Sequence, residues 1–201
     1  QANREAAARG NRHTADGRDL NRLWDQARLE ALAAREPDTL CYEEARALAL
    51  APLLRGVDGI LDLHSTSQPT PPFLVMRDDQ AHARLVRRLG VERVVTGLHE
   101  DGVLGGGVCP DVGLHLGERS PRLGITFEAG QHSDPDNRRR AFEVVIRFLD
   151  HFGLWRLPPP ATPTIPRVHE VLDAIQQAPP GAVPYAFPGY GAPGGDRNRG
   201  E

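Results

Sequence analysis

His64 closes an apolar run, Val57–Leu63, and small hydroxyl residues follow it in His64-Ser65-Thr66-Ser67. A histidine at the rim of a buried strand can hold a metal ion through a ring nitrogen, or simply be a structural histidine; position alone does not separate the two. Glu128 follows a second apolar run, in Thr126-Phe127-Glu128-Ala129-Gly130. A carboxylate at such a rim is disfavoured as an anion and can serve as a general base, the alternative being an exposed strand terminus. Asp19-Leu20-Asn21-Arg22 sets an amide beside a planar guanidinium, a pair suited to a carboxylate because arginine can donate two parallel hydrogen bonds. The plainer reading of that tetrapeptide is an N-capping aspartate with solvent-facing neighbours. Arg12, Arg119 and Arg122 are further cations of the same kind, each weak alone in a chain where arginine is common.

The elements that must position these residues alternate between helices and short buried strands. Residues 1–22 are polar and read as loop. Apolar spacing predicts a helix from Leu23 to Arg35 with Leu23, Ala27, Ala31 and Ala34 inward and Leu29 off phase, then another over Tyr42–Arg55. Strands are expected at Val57–Leu63, Phe73–Met76, Val91–Thr96 and Leu123–Phe127, with a helix over Gln80–Leu89. The longest periodic segment, Asp134–Phe152, predicts a helix with Asp134 as N-cap and Phe142, Val145, Ile146 and Leu149 on one face. After Leu157 the texture changes to proline, glycine and arginine, with one short structured piece, Val168–Ile175. The expectation is an α/β domain with a mixed sheet flanked by helices over 1–157, and an incomplete C-terminal extension over 158–201.

Composition narrows the partners. A chain of 201 residues, 39% hydrophobic and 25% charged, has ordinary globular values and can bury one core. A formal charge of -3 gives no reason to expect nucleic acid or an anionic membrane as partner, and no apolar run reaches the length of a membrane span. All 24 basic residues are arginine. Cys41 and Cys109 are the only cysteines; they form no metal-binding pair and no disulfide scaffold, which makes a reducing cytoplasm the simpler expectation. Oligomeric state is left open, a homo-oligomer included.

Taken in order, Asn3-x-x-Ala6, Arg12, DLNR at 19–22, DLHSTS at 62–67 and TFEAG at 126–130 resemble the succinylglutamate desuccinylase/aspartoacylase family, within the wider zinc carboxypeptidase group. The resemblance covers about residues 1–155. It implies a zinc carboxypeptidase-like fold and hydrolysis of an amide or ester in a small N-acyl amino acid or related carboxylate. It further implies His64 as a zinc ligand and Glu128 as general base. Asn21 and Arg22 would hold the carboxylate of the amino-acid part, and Arg12 would polarise the scissile carbonyl, although it stands slightly farther from DLNR than in the pattern. Arg119 or Arg122 would add a further carboxylate contact. The small anionic substrate is the partner so implied, and Zn the cofactor.

The departures are as specific as the match. The family takes its other two zinc ligands from an HxxE motif upstream of DLNR, and none precedes DLNR here; the expectation is an N-terminally incomplete domain. His115 and Glu118 form an HxxE in the reverse order, read as coincidence. A tyrosine from a C-terminal β domain is also unplaced, with Tyr185 and Tyr190 in that direction and Val168-His169-Glu170-Val171 resembling that domain's opening. Two alternatives to catalysis follow: a relative that binds carboxylates without cleaving, and an inert piece of a longer enzyme.

Overall fold

A computed structural model describes residues 2–97, 123–158 and 165–170. Its helices are α1 (Arg4–Ala8), α2 (Gln26–Ala33), α3 (Tyr42–Arg55), α4 (Gln80–Leu89) and α5 (Asn137–His151). Its strands are β1 (Gly59–Thr66), β2 (Phe73–Val75), β3 (Arg93–Thr96), β4 (Leu123–Gln131) and β5 (Arg167–Glu170). The strands form one five-stranded sheet in the order β1-β4-β2-β3-β5. β1 runs parallel to β4, β2 antiparallel to β4, and β3 parallel to both β2 and β5. The mixed sheet flanked by helices is therefore the architecture expected. Among the described residues no helix is long and apolar enough to cross a membrane.

Side-chain alternation along the strands divides the sheet into two faces. Leu61, Leu74, Val94, Ile125, Phe127 and Ala129 pack with Leu85, Val86 and Leu89 of α4 and Val144 of α5 in the main core. At about 25 cal/mol per Å² of apolar surface, each such Leu or Phe contributes roughly 1.5–3 kcal/mol. Asp62 and His64 on β1, and Thr126 and Glu128 on β4, alternate with these residues and so leave the sheet on the other side. A second core of Leu20, Leu23, Trp24, Leu29, Ala47 and Ala51 joins the turn at Leu20–Arg22 to α2 and α3.

Several elements differ from the sequence expectation. Residues 1–22 are not all loop: Asn3 accepts the Ala6 N–H at 3.1 Å and caps α1, while Leu20–Arg22 makes a 3₁₀ turn with Asp19 accepting the Asn21 N–H. α2 starts later, at Gln26, because Asp25 caps it, and its buried residues are Leu29 and Leu32 rather than the exposed Ala27, Ala31 and Ala34. The larger side chains won the core. In α5, Asp136 rather than Asp134 sits at the N-cap; Asp134 instead accepts from the Asp136 N–H and pairs with Arg140 at 2.6 Å. The buried face of α5 is Ala141, Val144 and Phe148, which leaves Phe142 65% exposed. Both faces have helical spacing, and packing against α4 and the sheet chose between them.

β1 and β4 also run further than expected, so His64 and Glu128 lie inside strands and not beyond them. Within the segment after 157, Arg167–Glu170 joins the sheet beside β3.

Candidate active site

His64 and Glu128 are Cα partners across the parallel β1–β4 ladder, two steps along from the Asp62–Thr126-level pairing. Immediately after them the register breaks: Thr66 pairs with Gln131, so β4 has Ala129 and Gly130 where β1 has Ser65 alone. This is a β-bulge, of the kind that re-aims side chains beside functional sites. Gly130 makes it feasible with φ +109°, a conformation that side chains rarely adopt, and a Cβ there would press on the Thr70 carbonyl at 3.2 Å.

The His64 ring is held through one nitrogen. Nε2 donates to Asp62 Oδ2 at 2.9 Å, and Asn21 Nδ2 lies 3.4 Å from the same nitrogen. Nδ1 carries no hydrogen bond among the described residues. Burial disfavours the imidazolium, but the hydrogen bond and charge of Asp62, with Glu128 adding to them and Arg12 opposing, raise the His64 pKa above its ordinary value. Burial raises the Glu128 pKa as well; Asp62 adds to the rise, while His64, His132 and Arg12 oppose it. Glu128 Oε2 is buried and without a hydrogen-bond partner among the described residues. A half-desolvated carboxylate with one oxygen uncommitted is suited to taking a proton from a bound molecule.

A cavity of about 310 Å³ opens over this end of β1, lined by Asn3, Arg12, Asp19, Asn21, Trp24 and His64 among others. Arg12 sits at its edge with its side chain 60% exposed and paired to Asp19 through Nη2 at 2.7 Å. Arg22 is placed differently. Its Nη1 donates to the Asn21 carbonyl at 2.7 Å and lies 4.0 Å from Asp19, and Arg22 does not line the cavity. The structure thus brings His64, Asn21 and Arg12 to one cavity, sets Glu128 beside His64 but, like Arg22, off the cavity lining, and leaves Arg22 folded back at the margin. Arg119 and Arg122 lie outside the described residues, as do Cys109, His115, Glu118, Tyr185 and Tyr190.

Some of the site was not singled out from sequence. Asp62 was visible in principle, since on a strand it shares a face with the residue two positions on, His64. His132 was not: its Nδ1 comes within 2.8 Å of Ser65 Oγ past the bulge, where the register has shifted by one residue. Among the described residues no group of three His, Cys, Asp or Glu side chains converges on a point where a metal could sit. They therefore do not by themselves fit a three-ligand catalytic zinc centre.

No family model and no curated protein matches the sequence. Solved structures do. The product-bound ectoine utilization protein EutE from Ruegeria pomeroyi superposes with a TM-score of 0.61 at 20% identity, over 83% of this chain and 48% of that one. The succinylglutamate desuccinylase/aspartoacylase from Rhodobacter sphaeroides gives 0.60 at 19%, over 83% and 50%. The succinylglutamate desuccinylase from Vibrio cholerae gives 0.57 at 21%, over 84% and 49%. These structural neighbours belong to the succinylglutamate desuccinylase/aspartoacylase family, and the chain has their fold. It spans about half the length of the solved structures it matches.

Proposed function

We propose that this chain carries the general base and part of the substrate pocket of a deacylase, one that hydrolyses the amide or ester bond of a small N-acyl amino acid or related carboxylate. The observation that supports this most is the pairing of Glu128 with His64 across β1 and β4, with one Glu128 oxygen buried and uncommitted. The names of the structural neighbours support the substrate class.

In this reading Glu128 takes a proton from the attacking water and hands it to the leaving amine nitrogen as the acyl bond breaks. Its raised pKa brings its basicity closer to that of its partners in neutral solution. Arg12 stands over the scissile carbonyl and stabilises the developing oxyanion. Asn21, on the cavity wall, orients the substrate carboxylate, with Arg22 joining it once its guanidinium swings away from the Asn21 carbonyl. Arg119 or Arg122 adds a second contact to that carboxylate. The reading includes zinc as cofactor: His64 would supply one of its ligands, and the metal would activate the attacking water.

A panel of N-acyl amino acids incubated with the full-length protein tests the proposal. Release of free amino acid that stops in Glu128→Gln supports it. Saturable binding of the same compounds without turnover would instead make the protein a non-catalytic carboxylate binder.

A further inference from the structure

Glu43, at the start of α3, is wholly buried, with 0% of its surface exposed, and no arginine or histidine among the described residues pairs with it. Its carboxylate is satisfied by neutral donors drawn from the segment that carries Arg12. Oε1 accepts from Asn3 Nδ2 at 2.9 Å and from the Thr14 backbone N–H at 2.6 Å, and Oε2 accepts from the Thr14 hydroxyl at 2.9 Å. Asn3 Nδ2 also reaches the Arg12 carbonyl at 3.5 Å. The chain wraps this carboxylate closely: a Cβ at Gly17 would overlap Glu43 Oε2 and Thr14 Oγ1. Burial alone would raise the pKa of Glu43, yet these hydrogen bonds outweigh it and hold the group ionised. A negative charge in the first turn of α3 is favoured by the helix dipole as well. Glutamine in its place would turn the Thr14 hydroxyl from donor to acceptor and make the two remaining hydrogen bonds neutral ones, so the same set would persist only in weakened form.

Residues 3, 14 and 17 bracket Arg12, whose own side chain, among the described residues, is paired with Asp19 at the cavity edge. We propose that Glu43 is a positioning residue: it fixes the strap 10–19 over the cavity and thereby sets where the Arg12 guanidinium stands relative to His64 and Glu128. This rests on the deacylase reading for its kinetic consequence, but not for its structural one.

The experiment compares wild type, Glu43→Gln, Thr14→Val and both changes in an Arg12→Ala background, in the full-length protein. Misplacing a catalytic group by about an ångström can cost on the order of a hundredfold in rate, so Glu43→Gln should lose ten- to a hundredfold in kcat with KM little changed. Thr14→Val, which removes one donor and keeps the volume, should move kcat the same way by less. Neither change should lower kcat further once Arg12 is alanine. Amide hydrogen exchange at residues 14–17 supplies a readout independent of activity: slow in wild type, fast in Glu43→Gln. Fast exchange without any measurable deacylase activity in wild type would leave the strap in place and sink the deacylase reading instead. Unchanged exchange, or equal kcat losses from Glu43→Gln with and without Arg12, would overturn the positioning role.

Discussion

His64 and Glu128, far apart in sequence, are direct neighbours across a parallel strand pair and leave the sheet on the same face. Opposite faces would have ended any shared role. Their placement makes the division of labour testable, beginning with the carboxylate.

Glu128→Gln preserves size and removes the proton acceptor. General-base assistance is typically worth a factor of about 10²–10⁴, so kcat should fall by that much while substrate affinity changes little. The pH profile carries a second check. Glu128 acts as the carboxylate, and burial raises its pKa above the ordinary 4.5, so kcat/KM should climb as pH rises through that raised value. An acid limb at or below 4.5, or unchanged turnover in the variant, would remove Glu128 as base.

Arg22→Ala should act mainly on KM. A carboxylate contact is present in ground and transition states alike, so its loss weakens binding without a matching loss in kcat. Since Arg22 donates to the Asn21 carbonyl in this structure, the variant also reports whether the side chain swings toward substrate. A kinetic profile identical to that of Glu128→Gln would show that the assigned roles are wrong.

Zinc should bind the 201-residue chain weakly. One histidine falls short of the three protein ligands usual at catalytic zinc, and no set of three candidate ligands converges among the described residues. Metal analysis after desalting should find well under one zinc per chain. Stoichiometric zinc lost on His64→Ala, His115→Ala and Glu118→Ala alike would show that the reversed HxxE does take part.

Acid should destabilise the fold through the first turn of α3. Glu43 and Glu44 both have lowered pKa values despite burial: donors from Thr14 and Asn3 hold the first ionised, and the Cys41 N–H with Arg35 holds the second. A depressed folded-state pKa gives stability that is complete above the unfolded value, near 4.5, and is lost as pH falls through the folded value. Melting temperature followed from about pH 6 to 3 should drop along that limb, and Glu43→Gln should flatten it. A limb of equal steepness in the variant would assign the acid loss elsewhere.

Local signals carried much of this architecture. α3 and α4 occupy the spans that apolar spacing gave them, because each has a clear run and a glycine after it, with Gly90 in the left-handed conformation at φ +71°. α1 escaped notice because a helix of five residues has no period to read; Asn3 caps it. The true ends of β1 and β4 depend on each other across the sheet, which no local pattern reports. The inward face of α5 was ambiguous for the same reason. Glu128 and His64 stood out as polar residues after apolar runs, whereas Glu43 looked like any acidic residue opening a helix. What distinguishes it is the distant segment folded around it.

The bulge at Ala129–Gly130 shapes β4 as firmly as chemistry fixes its residues. Up to Glu128 the two strands count in step; beyond it β4 runs one residue ahead, and past that offset the His132 N–H meets the Thr66 carbonyl at 2.8 Å and its ring meets Ser65. A single deletion here would restore even counting with Gln131 still opposite Thr66, but it would take away the extra residue and with it the bend that a bulge puts into its strand. The extra residue therefore sets the direction of the chain past Glu128 rather than its partners, and it does so at the rim of the site and nowhere else along the β1–β4 ladder.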